Sequence, residues 1–225
     1  MATLDSPPDT APSDSARQDS ARQESARSDA KRGAIIAVAR EAFLTRGYSA
    51  TSMSEIAAKL GGSKGTLYNY FRSKEELFVA FMNENCEDLL DFMDHLPETA
   101  DSDRSVRDDL IELGVSFLSS LTRDSFVSIH RLVVAETGRF PELGRLFYDN
   151  GPARGVQRFT EYFERVIAAG RLPPNDPREV GQRLKDLVLS DVYTRRLWGV
   201  LEPLSPEQLR AHVTRSVDIF LMAFG

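Results

Sequence analysis

The chain has 225 residues, 41% hydrophobic and 28% charged, with a formal net charge of −6. That is enough for one small and one larger folded unit with a real core, and no apolar run approaches the ~18 residues of a membrane span. Its single cysteine, Cys86, excludes an internal disulfide, and the isolated His95, His130 and His212 lack metal-ligand spacing, so no cofactor or metal is expected.

The opening MATLDSPPDT has no apolar stretch after a basic one, so a signal peptide is not expected and a cytoplasmic location is. Residues 1–30 hold few large apolar side chains and repeat SARQD, SARQE, SARSD. Such a segment buries too little surface to offset its ordering entropy, which predicts a disordered tail. Arg27, Lys31 and Arg32 could form a DNA-contacting arm at its end.

From residue 31 onward apolar residues recur three and four apart, so the fold is expected to be all-α. The spacing predicts helices near 32–47, 53–60, 64–71, 74–94, 104–122, 125–138, 152–169, 177–198 and 206–224, with a short helical turn at 141–149. Capping boxes mark four starts: Ser52 with Glu55, Ser73 with Glu76, Asp176 with Glu179, and Ser205 with Gln208. Gly47, Gly61, Gly138 and Gly170 stand where C-terminal caps are wanted. The Pro97–Asp103 stretch reads as an acidic loop.

The net charge conceals a segregation. Residues 31–80 carry eight basic against four acidic side chains, while both flanking segments are net acidic. A basic module on an acidic body fits local contact with phosphate. Within it, Ile56, Ala57 and Leu60 give one short helix an apolar stripe, Gly61 and Gly62 break it, and Ser63 caps a second helix bearing Leu67, Tyr70 and Phe71. This is the pattern of a helix-turn-helix, with Leu67 and Phe71 as core. Lys64, Gly65 and Thr66 open the second helix with a cation, bare backbone and a hydroxyl suited to base edges. Tyr68, Asn69 and Tyr70 follow, and Lys74 starts the next helix, whose N-terminus suits a phosphate.

The run Gly-Ser-Lys-Gly-Thr-Leu-Tyr-Asn-Tyr-Phe-Arg-Ser-Lys-Glu-Glu-Leu, with Ala42, Phe43, Gly47, Tyr48, Thr51, Ile56 and Ala57, resembles the DNA-binding signature of the TetR family. Gly62 departs from it, where the family commonly has a valine-like residue. The resemblance implies a helix-turn-helix domain over 31–80 and a larger helical ligand-binding and dimerisation domain over 81–225. It also implies that Lys64, Gly65, Thr66, Tyr68 and Asn69 line the recognition face, with Ser63 at its start, while Thr51, Ser52, Tyr70 and Lys74 hold phosphates. Residues 131–155 are similar to AefR-like members, and efflux or transport genes would be typical targets.

That resemblance further implies a homodimer on a palindromic double-stranded DNA operator and a small, largely apolar effector, with repression the commoner outcome. Phe81, Phe92, Phe117, Phe126, His130, Phe147, Tyr148 and Phe163 are the candidate effector contacts. For the dimer interface the stripes are Val180, Leu184, Leu187 and Val188, and Leu209, Val213, Val217, Phe220 and Phe224. The alternatives are a DNA-binding architectural protein without a ligand and, with no nucleophile-base pair or carboxylate dyad to support it, a small helical enzyme; the chain is not expected to be an enzyme.

Overall fold

The computed structural model describes residues 14–94 and 104–225, with side chains described throughout these except at 14–21 and 85–94. All regular elements among them are helices. They are α1 (Asp14–Arg46), α2 (Met53–Lys59), α3 (Lys64–Tyr70), α4 (Lys74–Asp94), α5 (Val106–Thr122), α6 (Asp124–Thr137), α7 (Pro141–Asn150), α8 (Pro152–Ala168), α9 (Pro177–Leu197) and α10 (Pro206–Phe224). Residues 1–13, the expected 97–103 loop and the side chain of Phe92 fall outside the described residues.

The main departure from expectation is α1, which starts at Asp14 rather than near residue 32. Residues 14–30, expected to be disordered, are helical, and their side chains from Arg22 to Ala30 are exposed. The repeat explains this without any packing face. It is built largely of strong helix formers, Ala, Arg, Gln and Glu, so local propensity favours the helix.

Ser52 with Glu55 and Ser205 with Gln208 form complete capping boxes. In the third, Glu76 N–H donates to Ser73 Oγ, but the Glu76 carboxylate accepts from Arg72 N–H instead of Ser73. At α9, Asp176 caps alone, accepting from the N–H groups of Arg178 and Glu179, while Glu179 turns to Arg183. Gly138 is right-handed and is not the left-handed cap expected of it.

One hydrophobic cluster runs through the described residues in two parts, joined by α4. In the first, α1, α2 and α3 enclose Ile36, Phe43, Ile56, Leu67 and Phe71. Gly61, at φ +63°, makes the left-handed turn between α2 and α3 that a side chain would strain. Leu77, Phe78 and Phe81 of α4 are fully buried, and Phe43 lies 5.6 Å from Phe78 and 6.1 Å from Phe81 between ring centres. In the larger core, α5, α8, α9 and α10 pack closely. On α5, a Cβ at Gly114 would stand 2.6 Å from Val213 Cγ1, so glycine permits that approach. A corner made by α6 and α7 closes the side toward the first core.

Candidate DNA interface and effector cavity

Around the turn, Ser63 Oγ accepts from Thr66 N–H at 3.2 Å and is 3.0 Å from the Thr66 hydroxyl, which fixes the start of α3. Lys64, Gly65 and Asn69 are exposed, Tyr68 presents 48% of its surface, and Thr66 and Tyr70 are half-buried. Ser52 is exposed at the start of α2, its hydroxyl engaged with Glu55. The structure therefore brings Ser52, Ser63, Lys64, Gly65, Thr66, Tyr68, Asn69 and Tyr70 onto one small unit.

Two candidate phosphate contacts are placed otherwise. Thr51 is buried, and its hydroxyl donates to Gly47 O at 2.9 Å and Ala42 O at 3.2 Å. The Lys74 ammonium turns inward, donating to Tyr48 O at 2.9 Å and Thr51 O at 3.1 Å, 4.1 Å from the centre of the Tyr48 ring. Burial lowers the Lys74 pKa against the opposing charges of Glu75 and Glu136. The Thr51 hydroxyl closes the turn back on α1 and the Lys74 ammonium fastens that turn to α4, so both polar groups are engaged by carbonyls in this conformation.

Carboxylates on the same unit are occupied: Glu55 pairs with Arg46 and Glu41 with Lys59, each at 3.0 Å. Lys31, Arg32, Lys64 and Arg72 have no carboxylate partner among the described residues, so they set the local charge. Arg32 stacks 5.3 Å over Phe71, and Lys31 borders Ser63 and Thr66 at the start of α3. Sequence spacing suggested these two as arm residues; their flanking of α3 emerges only from the packing of α1.

In the larger core a cavity of about 330 Å³ lies between α5, α6, α7, α8 and α9. Of the candidate effector contacts, Phe117, Phe126, His130, Phe147 and Tyr148 line it. Phe81 does not, being buried against Phe43 and Phe78, and neither does Phe163, whose ring packs on Tyr162 and Phe220. Missed by sequence reasoning were Phe159, Gln182, Lys185, Leu189 and Tyr193. The α9 residues among them lie outside the Val180–Val188 stripe; their i, i+3, i+7, i+11 spacing along the neighbouring face of α9 was the available signal. His130 Nδ1 and the Tyr193 hydroxyl share a short hydrogen bond. Burial pushes the His130 pKa down and that of Tyr193 up, so both are uncharged near neutrality.

Expected dimer stripes prove to be mainly internal. Val180, Leu184, Val188, Leu209, Val213, Val217 and Phe220 are buried within the protomer; only Leu187 and Phe224 are half-buried. An amphipathic stripe identifies an apolar face but not whether the neighbour covering it belongs to the same chain. The apolar side chains left exposed nearby are Ile219 (51%), Met222 (80%), Trp198 (72%) and Val200 (65%).

Such a fold defines a helix-turn-helix regulator: a basic DNA-binding unit joined by one helix to a larger helical body with a cavity. The comparisons resolve this further. Residues 35–81 match the model of bacterial regulatory proteins of the tetR family, and residues 108–225 match the AefR-like transcriptional repressor C-terminal domain. The chain belongs to the TetR family of transcriptional regulators. It is 42% identical over 60 residues to the transcriptional activator FasR of Mycolicibacterium smegmatis, covering 27% of each protein. It is also 45% identical over 49 residues to the regulator QacR of Staphylococcus aureus, covering 22% of this chain and 26% of that protein. The match thus spans about a quarter of the curated relatives' length.

Among solved structures, a TetR-family regulator from Mesorhizobium loti is 28% identical with a TM-score of 0.76, covering 88% of this chain and 98% of that one. The flavonoid-responsive regulator FrrA is 32% identical with a TM-score of 0.73, covering 87% and 97%. No described helix is long and apolar enough to cross a membrane.

Proposed function

We propose that the protein is a ligand-responsive repressor that binds a palindromic operator as a homodimer. Each α3 enters a major groove, with Lys64, Gly65, Thr66, Tyr68 and Asn69 toward the bases and Ser52, Tyr70 and the α1 cations Lys31 and Arg32 toward the backbone. A small, largely apolar effector occupies the cavity and favours a dimer whose recognition helices no longer match the ~34 Å repeat of DNA. Kinship with FrrA, named as flavonoid-responsive, supports a small-molecule signal, and the AefR-like match supports repression.

The observation that carries the reading is that the cavity and the DNA-binding unit share the same two helices. Phe126 and His130 of α6 and Phe147 and Tyr148 of α7 line the cavity, while Glu136 and Phe140 at the α6–α7 corner touch the α1–α2 turn. Selection of genomic fragments by the purified protein, followed by sequencing and footprinting, tests it. A palindrome with half-sites about one helical turn apart is expected; binding without sequence preference would leave the architectural reading instead.

A further inference from the structure

The cavity's chemistry constrains what it accepts. Among the described residues, Lys185 is the only formal charge in its lining, and its ammonium lies 2.9 Å from Asp186 Oδ1. Among those residues an anionic ligand would find no unpaired cation, and an organic cation no lining carboxylate. A charged group buried without a partner pays a desolvation cost that such walls do not return. A cavity of about 330 Å³ is also near the small end of the ~300–1,000 Å³ range of small-molecule sites.

Seven of the fifteen lining residues carry flat rings. Phe117 and Phe159 meet edge to face at 5.0 Å, Phe147 lies 5.4 Å from His130 with planes 33° apart, and His130 lies 5.7 Å from Tyr193 at 32°. Edges and faces so arranged complement the quadrupole of an aromatic guest. Into this surface opens a half-buried, mutually hydrogen-bonded polar pair, His130 with Tyr193, beside the polar side chains of Gln182, Lys185 and Tyr148. A neutral imidazole and a phenol together hold donors and acceptors beyond the bond they share, and both stay unionised because burial disfavours their charged forms.

We infer that the effector is a compact, uncharged, planar aromatic molecule whose hydroxyl hydrogen-bonds to the His130–Tyr193 pair. This rests on the regulatory reading above and adds the ligand's chemical class. It excludes carboxylates, coenzyme A thioesters and quaternary amines from the cavity.

The test uses the full chain and probes sharing one ring frame: 4-phenylphenol, 4-methoxybiphenyl and biphenyl-4-carboxylate, with stearoyl-CoA as a long anionic thioester. Affinities are measured by calorimetry without DNA, and operator release is measured separately. The phenol should bind about tenfold tighter than its methyl ether, the factor given by one net hydrogen bond of about 1.4 kcal/mol, and the carboxylate should bind weakest. Tyr193→Phe should bring the phenol to the ether's affinity while leaving the ether unchanged, and His130→Gln provides a second polar variant should the first fold poorly. Tightest binding of the carboxylate or thioester, equal binding of phenol and ether, or no binding of any biphenyl overturns the inference. If stearoyl-CoA binds and releases the operator, the chemical class fails and the regulatory reading stands. A protein that binds the phenol yet selects no operator reverses that outcome.

Discussion

Two lysines ten positions apart show how far residue type underdetermines role. Lys64 is exposed at the first turn of α3, whereas Lys74 is tied to two carbonyls and the face of Tyr48. Lys64→Ala should cost about 1–3 kcal/mol on the correct operator and relax preference at one base pair of each half-site. Lys74→Ala instead removes charge-assisted hydrogen bonds that hold the α1–α2 turn on α4, and should lower folding stability by about 2 kcal/mol. Its effect on operator binding should leave the log-log salt slope unchanged, since no phosphate contact is lost. Denaturant titration and binding at several salt concentrations distinguish the two; a slope reduced by about one unit per subunit in Lys74→Ala would return that ammonium to the DNA backbone.

At the scale of elements, α9 contains a break that periodicity could not reveal. Ser190 adopts φ 37° and ψ −141° inside the helix. In the turn before it, Val188 O is 2.9 Å from His212 Nε2 and Leu187 O accepts from the Ser216 hydroxyl at 3.1 Å, so α10 satisfies carbonyls beside the break. Because a carbonyl only accepts, His212 carries its proton on Nε2 there. Ser190→Gly should relieve about 1 kcal/mol of backbone strain and raise the urea midpoint; a lower midpoint would mean that Ser190 is not strained.

The α6–α7 corner makes a different connection. Glu136 Oε1 accepts from Ser49 N–H at 3.2 Å, and the Phe140 ring lies 5.7 Å from that of Tyr48. Phe140→Ala should leave effector-induced thermal stabilisation intact while reducing effector-driven operator release at least about tenfold, a loss of roughly 1.4 kcal/mol of coupling. Undiminished release in this variant would place the coupling in α4 alone. Helix order, the starts at Ser52 and Ser205 and the helix-turn-helix were legible because caps and 3.6-residue periodicity are local signals. Local helix propensity also favours a long α1, but the absence of an apolar stripe in its first part hid this. The corner and the Tyr193 side of the cavity were not legible, since residues 48 and 140, or 130 and 193, meet only through tertiary packing.

At the scale of the molecule, the buried stripes of α9 and α10 leave assembly to their outer faces. Ile219 and Met222 project from α10, beside Arg215, while Asp186 and Asp191 lie exposed along α9. A twofold axis between such faces would set apolar side chains against their copies. The proposed dimer therefore uses positions other than those the sequence stripes suggested, and substitution separates the alternatives. Replacing both Ile219 and Met222 by Asp should dissociate the dimer in light scattering without changing helical circular dichroism, because neither side chain supports the protomer core. Phe220→Asp, placing a charge at a fully buried position against Phe163, should unfold the protomer itself. Loss of the dimer should also weaken binding to the full palindrome by about a hundredfold or more, since the second half-site is then no longer tethered to the first. An Ile219→Asp, Met222→Asp protein that remains a dimer and holds the palindrome as before would move the interface off this face.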